Sequence, residues 1–190
     1  MSFGALLQNV SKHIELTAIE QELFTTFLTE KKLEKGAIVL EQGGICNAIH
    51  FVNEGILRAY FLSEEGKETT VMFAISDWWI TDMHAFTTHK KSLLTIQALE
   101  KSSILSLSKA NFDKLLIEIP KLERFFRILM QNAYIREQLR GLDNLSLPAK
   151  QKYAIFMEKY PSIAKLLTQK QIASYLGITP EFLSIIRADS

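Results

Sequence analysis

The hydrophobic period changes twice along the 190 residues, and no fold built on a single period accommodates that. Leu16, Ile19, Leu23 and Phe27 recur at helical spacing, so a helix is expected over Ile14 to Leu33, with Thr17 and Glu20 as its capping box. The pattern then becomes one of short, β-branched runs separated by glycine-containing turns. These runs are Ala37 to Glu41, Ile49 to Val52, Ile56 to Leu62, Thr69 to Ile75, Leu94 to Leu99 and Ser103 to Leu107. Strands of this length and spacing predict an antiparallel, jelly-roll-like β-roll. After Lys109 the helical period returns and persists to the end. The expected fold is therefore α+β: an N-terminal roll with flanking helices, one long helix, and an all-α C-terminal unit.

The long helix is expected from Lys121 to Leu142, after a short helix over Asn111 to Glu118. Phe125, Ile128, Asn132, Ile135, Leu139 and Leu142 follow a three-four alternation, which is a heptad seam. Such a seam suits a homodimer; a single broad core face within a monomer is the alternative. Gly141 to Pro148 reads as a hinge, with Pro148 opening the next helix. The expected boundaries are 1–120 for the roll, 121–145 for the seam helix and hinge, and 146–190 for the C-terminal unit.

Thr168 to Arg187 is the most informative stretch. Thr168 caps a helix through Tyr175, Gly177 supplies the left-handed residue that ends it, and Thr179 caps a second helix with Pro180 in its first turn. Ile172, Ala173, Leu176, Ile178, Leu183 and Ile186 would form the small core between them. This is a helix-turn-helix pattern, whose second helix enters a DNA major groove; a tight helix pair of another kind is the alternative. Net charge is +1, but from Ser146 onward six cationic side chains face three acidic ones, the last being Asp189. A basic tail half suits a polyanionic partner.

Other classes are disfavoured. The single cysteine, Cys46, cannot form an internal disulfide or a four-cysteine iron–sulfur cluster. No apolar run approaches the ~20 residues that cross a bilayer. Met1 to Val10 has no basic stretch leading an apolar block, so the cytoplasm is the expected location. No nucleophile elbow, Walker loop or zinc signature is present, so an enzyme is not expected. Asp82, His84 and His89 have a spacing compatible with a metal, yet histidines without ligand duty are commoner, and no metal site is expected.

The order of roll, long helix and helix-turn-helix resembles the Crp/Fnr family of transcription regulators. Val52-Asn53-Glu54-Gly55-Ile56-Leu57-Arg58, Ser108-Lys109-Ala110-Asn111-Phe112 and Leu167 to Arg187 carry the resemblance over nearly the whole chain. It implies a cyclic-nucleotide-binding-type sensor, a homodimer paired by the long helix, and a recognition helix that reads a palindromic DNA operator. It also makes a small-molecule effector and RNA polymerase candidate partners.

The chain departs from that family in two places. Nucleotide-binding members carry a glycine–glutamate pair and, further along, an arginine with serine or threonine. Here the first pair falls on Thr81-Asp82 and the second on Ser92-Leu93. Serine has neither the charge nor the fork of a guanidinium, so cyclic AMP is not the expected effector. Trp79, Asp82, Met83, Ser92 and Leu93 are the expected pocket residues, of a kind suited to a less polar ligand. Core duty is the alternative for Trp78 and Trp79. In the recognition helix, Ile185 stands where the family commonly has arginine. The expected DNA contacts are Thr168, Gln169, Lys170, Thr179, Pro180, Glu181, Ser184 and Arg187. The competing reading is a sensing or interaction module that no longer binds DNA specifically.

Overall fold

The computed structural model describes residues 3–188; Met1, Ser2, Asp189 and Ser190, and with them the acidic charge counted at Asp189, lie outside the described residues. Helices α1 (Gly4–Ser11) and α2 (Ala18–Thr26) precede eight strands: β1 (Leu28–Leu33), β2 (Ile38–Leu40), β3 (Ala48–Glu54), β4 (Ile56–Leu62), β5 (Glu68–Ile75), β6 (Trp79–Ile80), β7 (Thr95–Ala98) and β8 (Ser102–Ser108). Helix α3 (Met83–Thr88) lies between β6 and β7. After β8 come α4 (Lys109–Glu118), α5 (Lys121–Ser146), α6 (Ala149–Lys159), α7 (Pro161–Ala164), α8 (Gln169–Leu176) and α9 (Pro180–Ala188).

The strands form two four-stranded sheets, ordered β1-β8-β3-β6 and β2-β7-β4-β5, with antiparallel pairing throughout. The turn from β3 to β4 requires Gly55. Its φ is +90°, and an added Cβ would lie 2.2 Å from the Ser102 hydroxyl oxygen. The inward faces of both sheets meet in one core, including Phe51, Leu57, Ile96, Ile104 and Leu107. The start of α5 joins it through Leu122, Phe125 and Phe126. A second cluster holds the C-terminal helices together through Phe156, Ile163, Ile172, Ala173, Leu176 and Leu183. Phe73 of β5 belongs to that second cluster, so the roll contributes a side chain to the core of the helical unit.

Three sequence expectations are corrected. The helix expected over Ile14 to Leu33 is only α2, because Leu28–Leu33 pairs with β8 from Leu28↔Leu107 to Leu33↔Ser102. Pairing with a distant strand overrides the local period there. The expected hinge is shorter: Gly141, Asp143 and Asn144 lie inside α5, and the helix breaks only at Leu147 and Pro148. Pro148 stands at the N-cap of α6 rather than in its first turn. The capping box of α2 and the left-handed Gly177 are present as expected.

Candidate functional site

A cavity of about 410 Å³ lies between the roll and α5, within the size range of small-molecule sites. Ala59, Val71 and Met72 line it from the second sheet, Trp78 and Trp79 from the segment entering β6, and Phe126, Leu129 and Ala133 from α5. The walls are mainly apolar, with Asp77, Thr81, Asn132, Arg136 and Glu137 as polar exceptions.

The tryptophans are fixed from both sides. The Trp79 indole N–H donates to Asn9 Oδ1 at 3.2 Å, and its ring meets Phe51 and Phe126 edge-on. Asn9 also donates to the Asp77 carbonyl at 3.0 Å and to its carboxylate at 2.9 Å. That bond, with the Lys12–Asp77 ion pair, holds Asp77 at a φ of 74°. Asn9 thus positions the cavity wall from α1, an arrangement the sequence reading missed. Arg136 lies over the Trp78 ring, 5.0 Å from its centroid, and 3.6 Å from Glu137. It is the cation that lines the cavity among the described residues.

Of the five expected pocket residues, Trp79 and Met83 line the cavity; Asp82, Ser92 and Leu93 do not. Asp82 caps α3 by accepting from the Ala85 amide at 3.1 Å. Its other oxygen accepts from the Ser92 hydroxyl at 2.8 Å and from the Leu93 amide at 2.9 Å. Asp82 and Ser92 are both buried. Burial pushes the Asp82 pKa up, but these hydrogen bonds outweigh it and hold the carboxyl below its usual value. An internal carboxylate therefore occupies donors that an anionic ligand would need.

Strand β5 separates this cavity from the helical unit. Met72 faces the cavity, paired with Ala59 on β4. Thr70 and Phe73 face the other way. The Ser174 hydroxyl of α8 accepts from the Thr70 amide at 2.8 Å and donates to the Glu68 carbonyl at 2.7 Å. The Phe73 and Tyr175 rings lie 5.4 Å apart. As an edge strand β5 has unpaired backbone groups, and α8 covers them.

On the helix-turn-helix, Thr168 accepts from the Gln171 amide, Gly177 has a φ of 70°, and the Thr179 hydroxyl accepts from the Phe182 amide. Ile172, Ala173, Leu176, Leu183 and Ile186 are buried, and Ile178 is partly so. Thr168, Gln169, Lys170, Thr179, Glu181, Ser184 and Arg187 are exposed, with Pro180 half-buried. Ser184 donates to Gln169 at 3.2 Å. Phe182 and Ile185 are also exposed, an apolar feature of α9 that the expected DNA contacts do not include.

On α5 the expected seam divides. Phe125 is fully buried against Trp79 and Phe126, so it offers no surface to a second chain. Ile128 is half-buried, while Asn132, Ile135, Leu139 and Leu142 are exposed. Among the described residues no helix is long and apolar enough to cross a membrane, and no group of three histidine, cysteine or acidic residues is arranged to hold a metal.

Residues 30–118 match the cyclic nucleotide-binding domain family. The chain is 26% identical over 168 residues to the regulatory protein HlyX of Actinobacillus pleuropneumoniae, covering 82% of this chain and 68% of that protein. It is similar in fold to a CooA variant from Carboxydothermus hydrogenoformans, with a TM-score of 0.71 at 21% identity, over 96% of this chain and 83% of the other. It is also similar to a putative Crp/Fnr-family regulator from Eubacterium rectale, with a TM-score of 0.72 at 19% identity, over 92% and 83% of the two chains. Roll, long helix and C-terminal helix pair follow one another over most of the length shared with these proteins, and the chain is similar to transcription regulators of the Crp/Fnr type, with a cyclic nucleotide-binding-type domain over residues 30–118.

Proposed function

We propose that this chain is a cytoplasmic, homodimeric regulator that binds a palindromic operator in response to a largely apolar small molecule, and not to cyclic AMP. The cavity beside Trp78 and Trp79 carries the ligand part of this reading: it is large enough for an effector, and apolar over most of its wall. The closed set of Asp82, Ser92 and Leu93 supports the exclusion. A cyclic phosphate placed there would meet a carboxylate rather than a guanidinium, an uncompensated like-charge contact. Calorimetry with cyclic AMP should give no binding heat; a micromolar dissociation constant would overturn the exclusion.

The dimer part rests on the exposed apolar run Ile135, Leu139 and Leu142, with Asn132 as the polar register residue. Ile135→Asp should convert the dimer to monomers by sedimentation, and an unchanged dimer would reject this seam. The route from effector to DNA runs through β5, whose two faces touch the cavity and the helical unit. A second reading, a sensor that no longer reads DNA, is favoured by Ile185 alone. A band-shift titration with the gene's own upstream DNA separates the two.

A further inference from the structure

The apolar pair on the recognition helix carries an inference that rests on the DNA-binding reading and gives it a base preference. Leu183 and Ile186 are buried and define the inward face of α9. At 3.6 residues per turn, Glu181, Ser184 and Ile185 then point away from the core, and Phe182 stands beside Ile185 at i, i+3. Phe182 is 48% exposed and Ile185 58% exposed. Neither belongs to the core cluster of the helical unit. Thr179, Glu181 and Arg187 on the same segment, and Lys170 on α8, are exposed polar or cationic side chains. An exposed apolar pair with a polar rim marks a contact surface. Its cations favour a polyanion as the partner.

The polar readers on this face are few. The Ser184 proton is directed to Gln169, within the helical unit. Glu181 only accepts hydrogen bonds, so at a base edge it selects an amino group. Phe182 and Ile185 have no hydrogen-bonding side-chain atom. The apolar group that base pairs present in the major groove is the thymine C5-methyl.

We propose that Phe182 and Ile185 are specificity-determining residues that read thymine methyl groups, so that each operator half-site carries thymine opposite this pair. The partner is duplex DNA, and the recognised atoms are methyl carbons rather than hydrogen-bonding edges.

The test begins with selection of bound duplexes from random DNA at low salt, using the full-length protein. In the enriched site each thymine is then replaced singly by deoxyuridine, which removes only the methyl group. At one or two positions per half-site, affinity should fall about fourfold per methyl, as expected for one buried apolar carbon. The variant with both Phe182→Ala and Ile185→Ala should bind the thymine and deoxyuridine sites equally. Lys170→Ala should bind both more weakly and keep their ratio. These side chains are exposed, and circular dichroism of each variant confirms the fold. An enriched site whose deoxyuridine versions all bind as well as the parent overturns the methyl reading while leaving DNA binding intact. Failure to enrich any site overturns the DNA-binding reading, and this inference with it.

Discussion

In the roll, Asp82, Ser92 and the Leu93 amide direct their hydrogen bonds at one another; on α8 and α9, Lys170, Glu181 and Arg187 face solvent. Both sets are polar residues singled out by position, yet their environments differ in kind. Buried polar groups must be satisfied within the fold, because leaving one unpaired costs about 1–3 kcal/mol. Exposed ones have water as a partner and exchange it for a ligand at little cost. The difference places Asp82 in the architecture of the roll and leaves Glu181 free to meet a partner, as the proposed DNA contact requires.

Replacing each acid separately breaks the comparison most directly. Asp82→Ala should cost about 4 kcal/mol of stability, since it strands the Ala85 and Leu93 amides and the Ser92 hydroxyl together. Glu181→Ala should change stability by less than about 0.5 kcal/mol. Urea unfolding measures both, and equal shifts would reject the division. The Asp82 contribution also has a pH signature. Its folded pKa is depressed, so the stabilisation is present above the usual value of 3.8 and is lost as pH falls through the lower folded value.

His50 extends the buried side of the comparison. It is buried in β3, with Nδ1 2.9 Å from the Ser106 hydroxyl oxygen, and burial followed by the charge of Lys31 lowers its pKa from 6.5 to about 4. The unfolded chain therefore binds a proton in a window where the folded chain does not. Stability should be full above pH 6.5 and should fall as pH drops toward about 4, by up to about 3 kcal/mol. His50→Gln should flatten denaturant midpoints across that window; an unchanged slope would show that other groups carry it.

The same division explains what was legible in the sequence. The helix-turn-helix could be read because its signals are local: Thr168 and Gln171 in a capping box, Gly177 at the turn, and a core of residues close in sequence. Strand β4 emerged at its expected limits because turns at Gly55 and Gly66 bound it. Strand β1 did not, since its partner β8 lies far along the chain and its own central run, Thr29 to Lys32, is polar and lacks the alternation of a half-buried strand. Nor could the period reveal that Asn9 anchors Trp79 and Asp77, or that Phe73 joins the helical unit. Asp82 was found by position, but its inward hydrogen bonds come from Ala85 in α3 and from Ser92 and Leu93 in the segment before β7, an arrangement that no sequence signal announced.

On the exposed side, Glu181 and Lys170 should separate from each other as cleanly as both separate from Asp82. Glu181→Ala should relax preference at one base pair, costing about 2 kcal/mol of discrimination, because a carboxylate facing a cytosine amino group reads a base edge. Competition between the enriched site and single-base variants measures this, and uniform weakening across all sequences would place Glu181 at the backbone instead.

Lys170→Ala should have the smallest effect and a different form. Lys170 is in the first turn of α8, next to the capping Thr168, where helix-turn-helix proteins cross the phosphate backbone. One phosphate contact is sequence-independent, so all sites should weaken in the same ratio. Each lost contact also releases one counterion fewer, and the slope of log affinity against log salt should become shallower by about one unit per protomer. If the slope is unchanged while discrimination at one base pair falls, Lys170 reads a base. The outward face of the recognition unit then extends onto α8, and the line between positioning and reading residues must be redrawn there.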